Sequence, residues 1–221
     1  MVPAVAILLS ALVAGLMALC SPALLRWLPA PDEEPGVVFS TLGTRRFRLT
    51  LLGACAAASA VLLLATDPTL WPVWVPMAAL GPLLGLIDVA TGFLPLRLNY
   101  LALVLVSAGA VAACWLRGDW RPALVALAGG AGATAVYALL WWLSRGKLGF
   151  GDVRLAGLLG VATGATSLAV LVWSFVVGSL IGAVWAIAVR VGGRGREFPY
   201  GPSMLLGAPA ALVLSAALGV A

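Results

Sequence analysis

The stretch Leu168–Val189, LAVLVWSFVVGSLIGAVWAIAV, contains 22 consecutive residues without a charge and stops immediately before Arg190. A helix needs about 20 predominantly apolar residues to cross a bilayer. The stretch therefore predicts a transmembrane helix over residues 167–190. Its length and lack of charge set the pattern for the rest of the chain.

Similar apolar runs occupy most of the 221 residues, of which 63% are hydrophobic and 10% charged, with a mean hydropathy of +1.12. This composition excludes a soluble globular domain, in which about 25% of residues are charged. We expect one all-α, polytopic membrane domain over residues 1–221. Prolines, glycines and charges divide it into eight predicted helices, near residues 3–25, 49–66, 70–87, 98–116, 122–143, 153–164, 167–190 and 203–220. The sixth is short and glycine-rich, so it is expected to be a partial span or to continue into its neighbour.

The basic residues predict the orientation of the helices. With the N-terminus outside, eleven of the 13 basic residues fall on the cytoplasmic side, and only Arg117 and Arg121 fall outside. The cytoplasmic set is Arg26, Arg45, Arg46, Arg48, Arg97, Arg145, Lys147, Arg154, Arg190, Arg194 and Arg196. They are spread over short loops and form no patch interleaved with aromatics, so the expected partner is the lipid bilayer and not nucleic acid.

No metal or cofactor is expected. The chain has no histidine, and Cys20, Cys55 and Cys114 each lie alone in an apolar stretch. A zinc site needs clustered cysteine, histidine or carboxylate ligands. The three cysteines are interpreted as packed thiols without a disulfide.

Two acids, Asp88 and Asp152, are the candidate chemical groups. Under the predicted topology both lie at the cytoplasmic face, although they are 64 residues apart in sequence. Taken singly, Asp152 has the ordinary interpretation of a helix N-cap, and Asp88 that of a solvated helix end. Taken together they match aspartyl hydrolysis, in which one carboxyl group keeps its proton while the other activates water. The glycines Gly149 and Gly151 would let a substrate backbone approach, or would simply form a turn.

At these residues the chain resembles the type IV prepilin leader peptidases, the GxGD aspartyl proteases of the bacterial inner membrane. Three ordered motifs carry the resemblance: Ile87-Asp88 followed by Leu94-Pro95 and Leu98, then Gly149 to Leu155 preceded by Lys147, and then Phe198-Pro199-Tyr200-Gly201-Pro202. The resemblance covers about residues 75–210.

The resemblance implies that Asp88 and Asp152 are the catalytic pair. The implied reaction is removal of a short basic leader from a type IV prepilin or pseudopilin precursor. The cut would fall at the cytoplasmic face, before the precursor's apolar helix and commonly after a glycine. We expect Gly149, Gly151, Lys147 and Pro95 to contact the substrate. The oligomeric state is not predicted.

The chain departs from longer members of that family in the loop at residues 26–48, which holds no cysteine. Those members carry there a zinc-binding insertion linked to pilin N-methylation by S-adenosylmethionine. A peptidase without methyltransferase activity is therefore expected. The segment between Asp88 and Pro95 also lacks the basic residues often found there, unless Arg97 takes their place.

Two alternatives remain open. A presenilin-like or signal-peptide-peptidase-like protease would carry Tyr-Asp at the first acid and Pro-Ala-Leu after the second. Here Ile87 precedes Asp88, and the Pro-Ala-Leu strings at Pro22 and Pro122 both come before Asp152. A small proton- or cation-coupled transporter would favour inverted repeats and charges near the bilayer midplane, whereas these acids are predicted at helix ends.

Overall fold

The computed structural model describes residues 2–31, 36–145, 148–192 and 199–218. Within these ranges every regular element is helical, which confirms the predicted all-α polytopic fold. The eight α-helices are α1 (Val2–Trp27), α2 (Arg45–Leu64), α3 (Trp71–Thr91), α4 (Leu96–Arg117), α5 (Arg121–Leu143), α6 (Phe150–Gly164), α7 (Leu168–Val191) and α8 (Gly201–Leu218). Two short 3₁₀ helices, Phe39–Leu42 and Pro68–Leu70, precede α2 and α3.

Seven of these helices are long and apolar enough to cross a membrane, and α6 is the exception. Its 15 residues extend over about 22 Å, less than the roughly 30 Å hydrocarbon core. Most of its side chains are buried inside the protein. A short, enclosed helix of this kind faces neighbouring helices instead of lipid, so it needs neither the length nor the apolar surface of a full span.

Helix α6 nevertheless passes from one end of the bundle to the other. Its first turn packs against Leu94 in the turn after α3. Beyond its last turn, the Thr166 hydroxyl accepts a hydrogen bond of 3.2 Å from Nε1 of Trp74, near the start of α3. Residues Ala165 to Ser167 separate it from α7, where the Ser167 side chain caps the new helix by accepting from the Val170 N–H. The sixth segment is therefore a separate helix, and α7 and α8 keep the directions that an even number of crossings requires.

Several helices begin or end away from their predicted boundaries. The prediction started the sixth helix at residue 153 and ended the third at residue 87, but α6 begins at Phe150 and α3 continues to Thr91. Gly92 ends α3 in the left-handed conformation, with φ of 74°. Helix α2 begins at Arg45 because Thr44 caps it by accepting from the Phe47 N–H at 3.2 Å. Charged residues near helix ends were wrongly assigned to loops, since hydropathy alone does not detect caps.

Helices α3 and α6 form the centre of the bundle. Helix α3 packs against α1, α2, α4 and α8, and α6 packs against α4, α5, α7 and α8. Glycines permit the close contacts between α6 and α5. A Cβ on Gly160 of α6 would collide with the Gly129 carbonyl of α5, and a Cβ on Gly164 would lie 2.8 Å from the Val125 carbonyl oxygen. Small residues allow helices to pack tightly in lipid, where apolar burial gives little drive. The two acids are thus carried by the two central helices.

Several of the predicted cytoplasmic basic residues tie neighbouring helices together at the end of the bundle that contains the acids. Pro22 has no N–H to donate to the Ala18 carbonyl, and Nε of Arg48 on α2 donates to that oxygen at 3.1 Å instead. Arg97 donates to the Trp27 carbonyl at 3.1 Å and lies over the Trp27 ring. Within the loop at residues 26–48, Phe39 is buried, so part of this connector packs into the core.

Candidate active site

Asp88 lies in the last turn of α3 and is 4% exposed. Its backbone carbonyl accepts a hydrogen bond of 2.7 Å from the Gly92 N–H, which closes the helix. Its side-chain Oδ2 accepts a hydrogen bond of 3.1 Å from the N–H of Gly201, 113 residues further along the chain at the start of α8. A buried carboxylate with a fixed donor has a defined orientation, so the interpretation of Asp88 as a solvated helix end is wrong.

Asp152 is the third residue of α6 and is 8% exposed. Gly149 occupies the N-cap position, so the interpretation of Asp152 as the N-cap is wrong. The Asp152 N–H donates to the Gly149 carbonyl at 3.0 Å, and its carboxylate interacts with the Gly149 backbone amide. An acid in the first turn of a helix also faces the positive end of the helix dipole. These contacts hold the Asp152 carboxylate at the end of α6 that faces Asp88.

The two carboxylates lie at the same end of the bundle and within electrostatic range of each other. Both are buried, and like charges in a low-dielectric site resist simultaneous ionisation. One proton shared between them gives the state that aspartyl hydrolysis uses, with one neutral and one ionised acid. The structure therefore places the two acids that the sequence identified as a pair at one end of the bundle.

The residues expected to contact substrate lie in different places around this pair. Gly151 faces the turn after α3, where a Cβ would come within 2.9 Å of the Leu94 Cβ, so its lack of a side chain lets the two acid-bearing segments approach. Gly149 is exposed beside Asp152. Pro95 is buried at the N-cap of α4, where its carbonyl accepts from the Asn99 N–H at 3.0 Å. Lys147 lies outside the described residues.

The sequence analysis missed a group of hydroxyls beside the acids. The Tyr200 hydroxyl lies 3.1 Å from Ser179 Oγ on α7 and 3.5 Å from the Tyr137 hydroxyl on α5. Tyr137 is also within electrostatic range of Asp152. Tyr200 directly precedes Gly201, which donates to Asp88. The Pro199-Tyr200-Gly201-Pro202 motif marks this segment in the sequence, but its spacing alone does not show which side chains it contacts.

The described residues contain no group of three or more histidine, cysteine or acidic side chains placed to hold a metal ion. Cys55 and Cys114 are buried and Cys20 is exposed, and all three are free thiols. Among the described residues, the two carboxyls and the nearby hydroxyls are the polar side chains found together at this site.

Comparisons of this chain with protein-family models, with curated proteins and with solved structures found no match.

Proposed function

We propose that this protein is a membrane aspartic endopeptidase that removes the short basic leader from prepilin-like precursors. The observation that carries the proposal is the placement of Asp88 and Asp152, buried at one end of the bundle and within electrostatic range of each other. Ionisable side chains at membrane depth are costly and mark functional sites. Their position at helix ends supports hydrolysis at the membrane surface more than transport through the bilayer midplane.

The reaction needs a water molecule between the two carboxyl groups. The ionised acid accepts a proton from this water as the water oxygen attacks the scissile carbonyl carbon, while the neutral acid donates a hydrogen bond to the carbonyl oxygen. The tetrahedral intermediate then collapses as the leaving nitrogen takes the proton that the first acid accepted from water, giving a new carboxyl group and a new amine and returning that acid to its ionised form. The Gly201 N–H donates to Oδ2 of Asp88 and so orients this carboxyl group for the reaction.

The proposed location of the cut is the cytoplasmic face of the bacterial inner membrane. The acids share their end of the bundle with Arg26, Arg97, Arg145 and Arg190, whereas Arg117 lies at the opposite end with Asp67. Basic residues collect on the cytoplasmic side of membrane proteins. This bias supports an N-terminus outside and an active site that faces the cytoplasm, where a precursor's basic leader also remains.

The purified chain in phospholipid vesicles should cleave a synthetic precursor that has a lysine-containing leader, one glycine and an apolar helix of about 20 residues. Mass spectrometry is expected to find a single new N-terminus immediately after the glycine. Cleavage should continue in the presence of EDTA, because the proposed reaction uses no metal. An intact precursor would contradict the proposal, and a cut inside the apolar helix would favour the presenilin-like alternative.

A further inference from the structure

A large groove separates α5 and α7 on the outside of the bundle. It encloses about 1200 Å³ and extends along α5 from Leu124 to Leu140 and along α7 from Leu168 to Ala183. The α5 side alone is about 24 Å long at 1.5 Å per residue. Both helices are largely unburied, with 22% of the residues in an 18-residue window of each lying inside the protein. The groove is therefore open to the lipid over most of the thickness of the membrane.

One end of this groove reaches the candidate active site. Tyr137 and Ser179 line it, and both lie within 3.5 Å of the Tyr200 hydroxyl. Gly201 follows Tyr200 and donates to Asp88, while Tyr137 is within electrostatic range of Asp152. A molecule lying in the groove with its end at these hydroxyls would have that end beside the carboxylate pair.

We propose that the groove between α5 and α7 binds the apolar helix of the precursor and positions its first residues at Asp88 and Asp152. This inference rests on the proposed function. The groove walls are apolar along their length and carry hydroxyls near the acids, which matches an apolar helix that is cut where it leaves the lipid. Gly132 and Ala133 on α5 leave room for a second helix backbone to approach, and a Cβ on Gly132 would meet no heavy atom within 4 Å.

A second groove, between α2, α3 and α8, is a weaker candidate for the same role. It encloses about 380 Å³, and among the described residues no hydroxyl, amide or charged side chain lines it. Its smaller volume and the absence of polar groups at its ends fit a lipid acyl chain better than a helix with a polar end. It serves as the internal comparison for the experiments.

Filling the groove at Gly132 should block the precursor's helix without disturbing the fold. A Cβ on Gly132 meets no heavy atom within 4 Å, and the same holds for Gly53 on the exposed face of α2, which supplies the matched control. Gly132→Trp is expected to raise the KM for the synthetic precursor by about tenfold or more, with a smaller change in kcat, because a binding interaction is lost. Gly53→Trp should cleave as the wild type does. Equal KM values for the two variants would overturn the proposal.

A crosslinking experiment tests whether the precursor's helix binds in the groove, independently of cleavage. A photoreactive amino acid is placed at Val136 in the groove, at Val104 on α4, or at Leu206 in the smaller groove, all at least half exposed. In the Asp152→Asn chain, the apolar helix of the precursor is expected to crosslink at Val136 and not at the other two positions. Crosslinks to lipid alone, or equal crosslinking at all three positions, would refute helix binding.

The two measurements separate failure of this inference from failure of the proposed function. If the wild type does not cleave but the helix still crosslinks at Val136, the protease proposal fails and the groove remains a helix-binding site. If the wild type cleaves and neither Gly132→Trp nor the Val136 probe shows an effect, the protease proposal stands and the groove is refuted.

Discussion

Replacement of Asp88 or Asp152 by asparagine is expected to abolish cleavage of the synthetic precursor, with rates at least about 1000-fold below the wild type. Asparagine has almost the same shape as aspartate, but it cannot accept a proton from water or share one with its partner. Each substitution therefore leaves a single carboxyl group, which cannot supply both the ionised acid and the neutral acid that the reaction needs. The rate is measured by single-turnover cleavage with the enzyme in excess.

A variant with both acids replaced tests whether they act as a pair. Because the two acids act as one unit, Asp88→Asn with Asp152→Asn is expected to be no slower than either single variant. Asp67→Asn and Asp119→Asn change exposed acids at the opposite end of the bundle and should cleave normally. Extraction from membranes in wild-type amounts checks that each variant is folded. Substantial cleavage by either single variant would rule out the paired mechanism.

Gly201→Ala is expected to slow cleavage by about 100-fold, the cost of a displacement of about 1 Å in a catalytic group. A Cβ at this position would lie 2.6 Å from Oδ2 and 3.3 Å from Cγ of Asp88. The carboxyl group would have to rotate away and lose the hydrogen bond from the Gly201 N–H. The substitution adds one methyl group and leaves both acids in place, so its effect reports carboxylate orientation.

A control variant and a stability measurement separate this effect from a general loss of stability. Gly53→Ala adds the same methyl group where no heavy atom lies within 4 Å and should be silent. Thermal unfolding in detergent should show that Gly201→Ala remains folded, with a melting temperature only a few degrees below that of the wild type, because one hydrogen bond is lost. A Gly201→Ala enzyme with the wild-type kcat would show that the hydrogen bond to Asp88 does not position the acid.

The sequence was sufficient to predict the spans and the end at which the acids meet. Apolar runs between charges identify helices because each span must bury its backbone polar groups in its own hydrogen bonds. Two helices, α4 and α5, lie between Asp88 at the end of the third helix and Asp152 at the start of the sixth, so the two acids must share a face. This inference needs only α4 and α5 to cross the membrane, and both are long and apolar enough to do so.

The immediate surroundings of the acids were beyond prediction from the sequence. The hydrogen bond from Gly201 to Asp88 joins residues 113 positions apart, and it depends on how α8 packs against α3. Tyr137 and Thr134 are the two hydroxyl residues of an otherwise apolar stretch, so hydropathy does not distinguish Tyr137 from a lipid-facing residue. The N-cap of α6 also falls on Gly149 because the helix starts one turn earlier than its apolar pattern suggests.

Cysteine crosslinking in native membranes tests the central claim most directly. In a chain whose Cys20, Cys55 and Cys114 are replaced by serine, Asp88→Cys with Asp152→Cys is expected to be joined by a short bifunctional thiol reagent. Asp88→Cys with Thr166→Cys should not be joined, because Thr166 lies beyond the opposite end of α6. Failure of the first pair to crosslink with any spacer, while both cysteines react singly, would show that the two positions do not meet and would contradict this account.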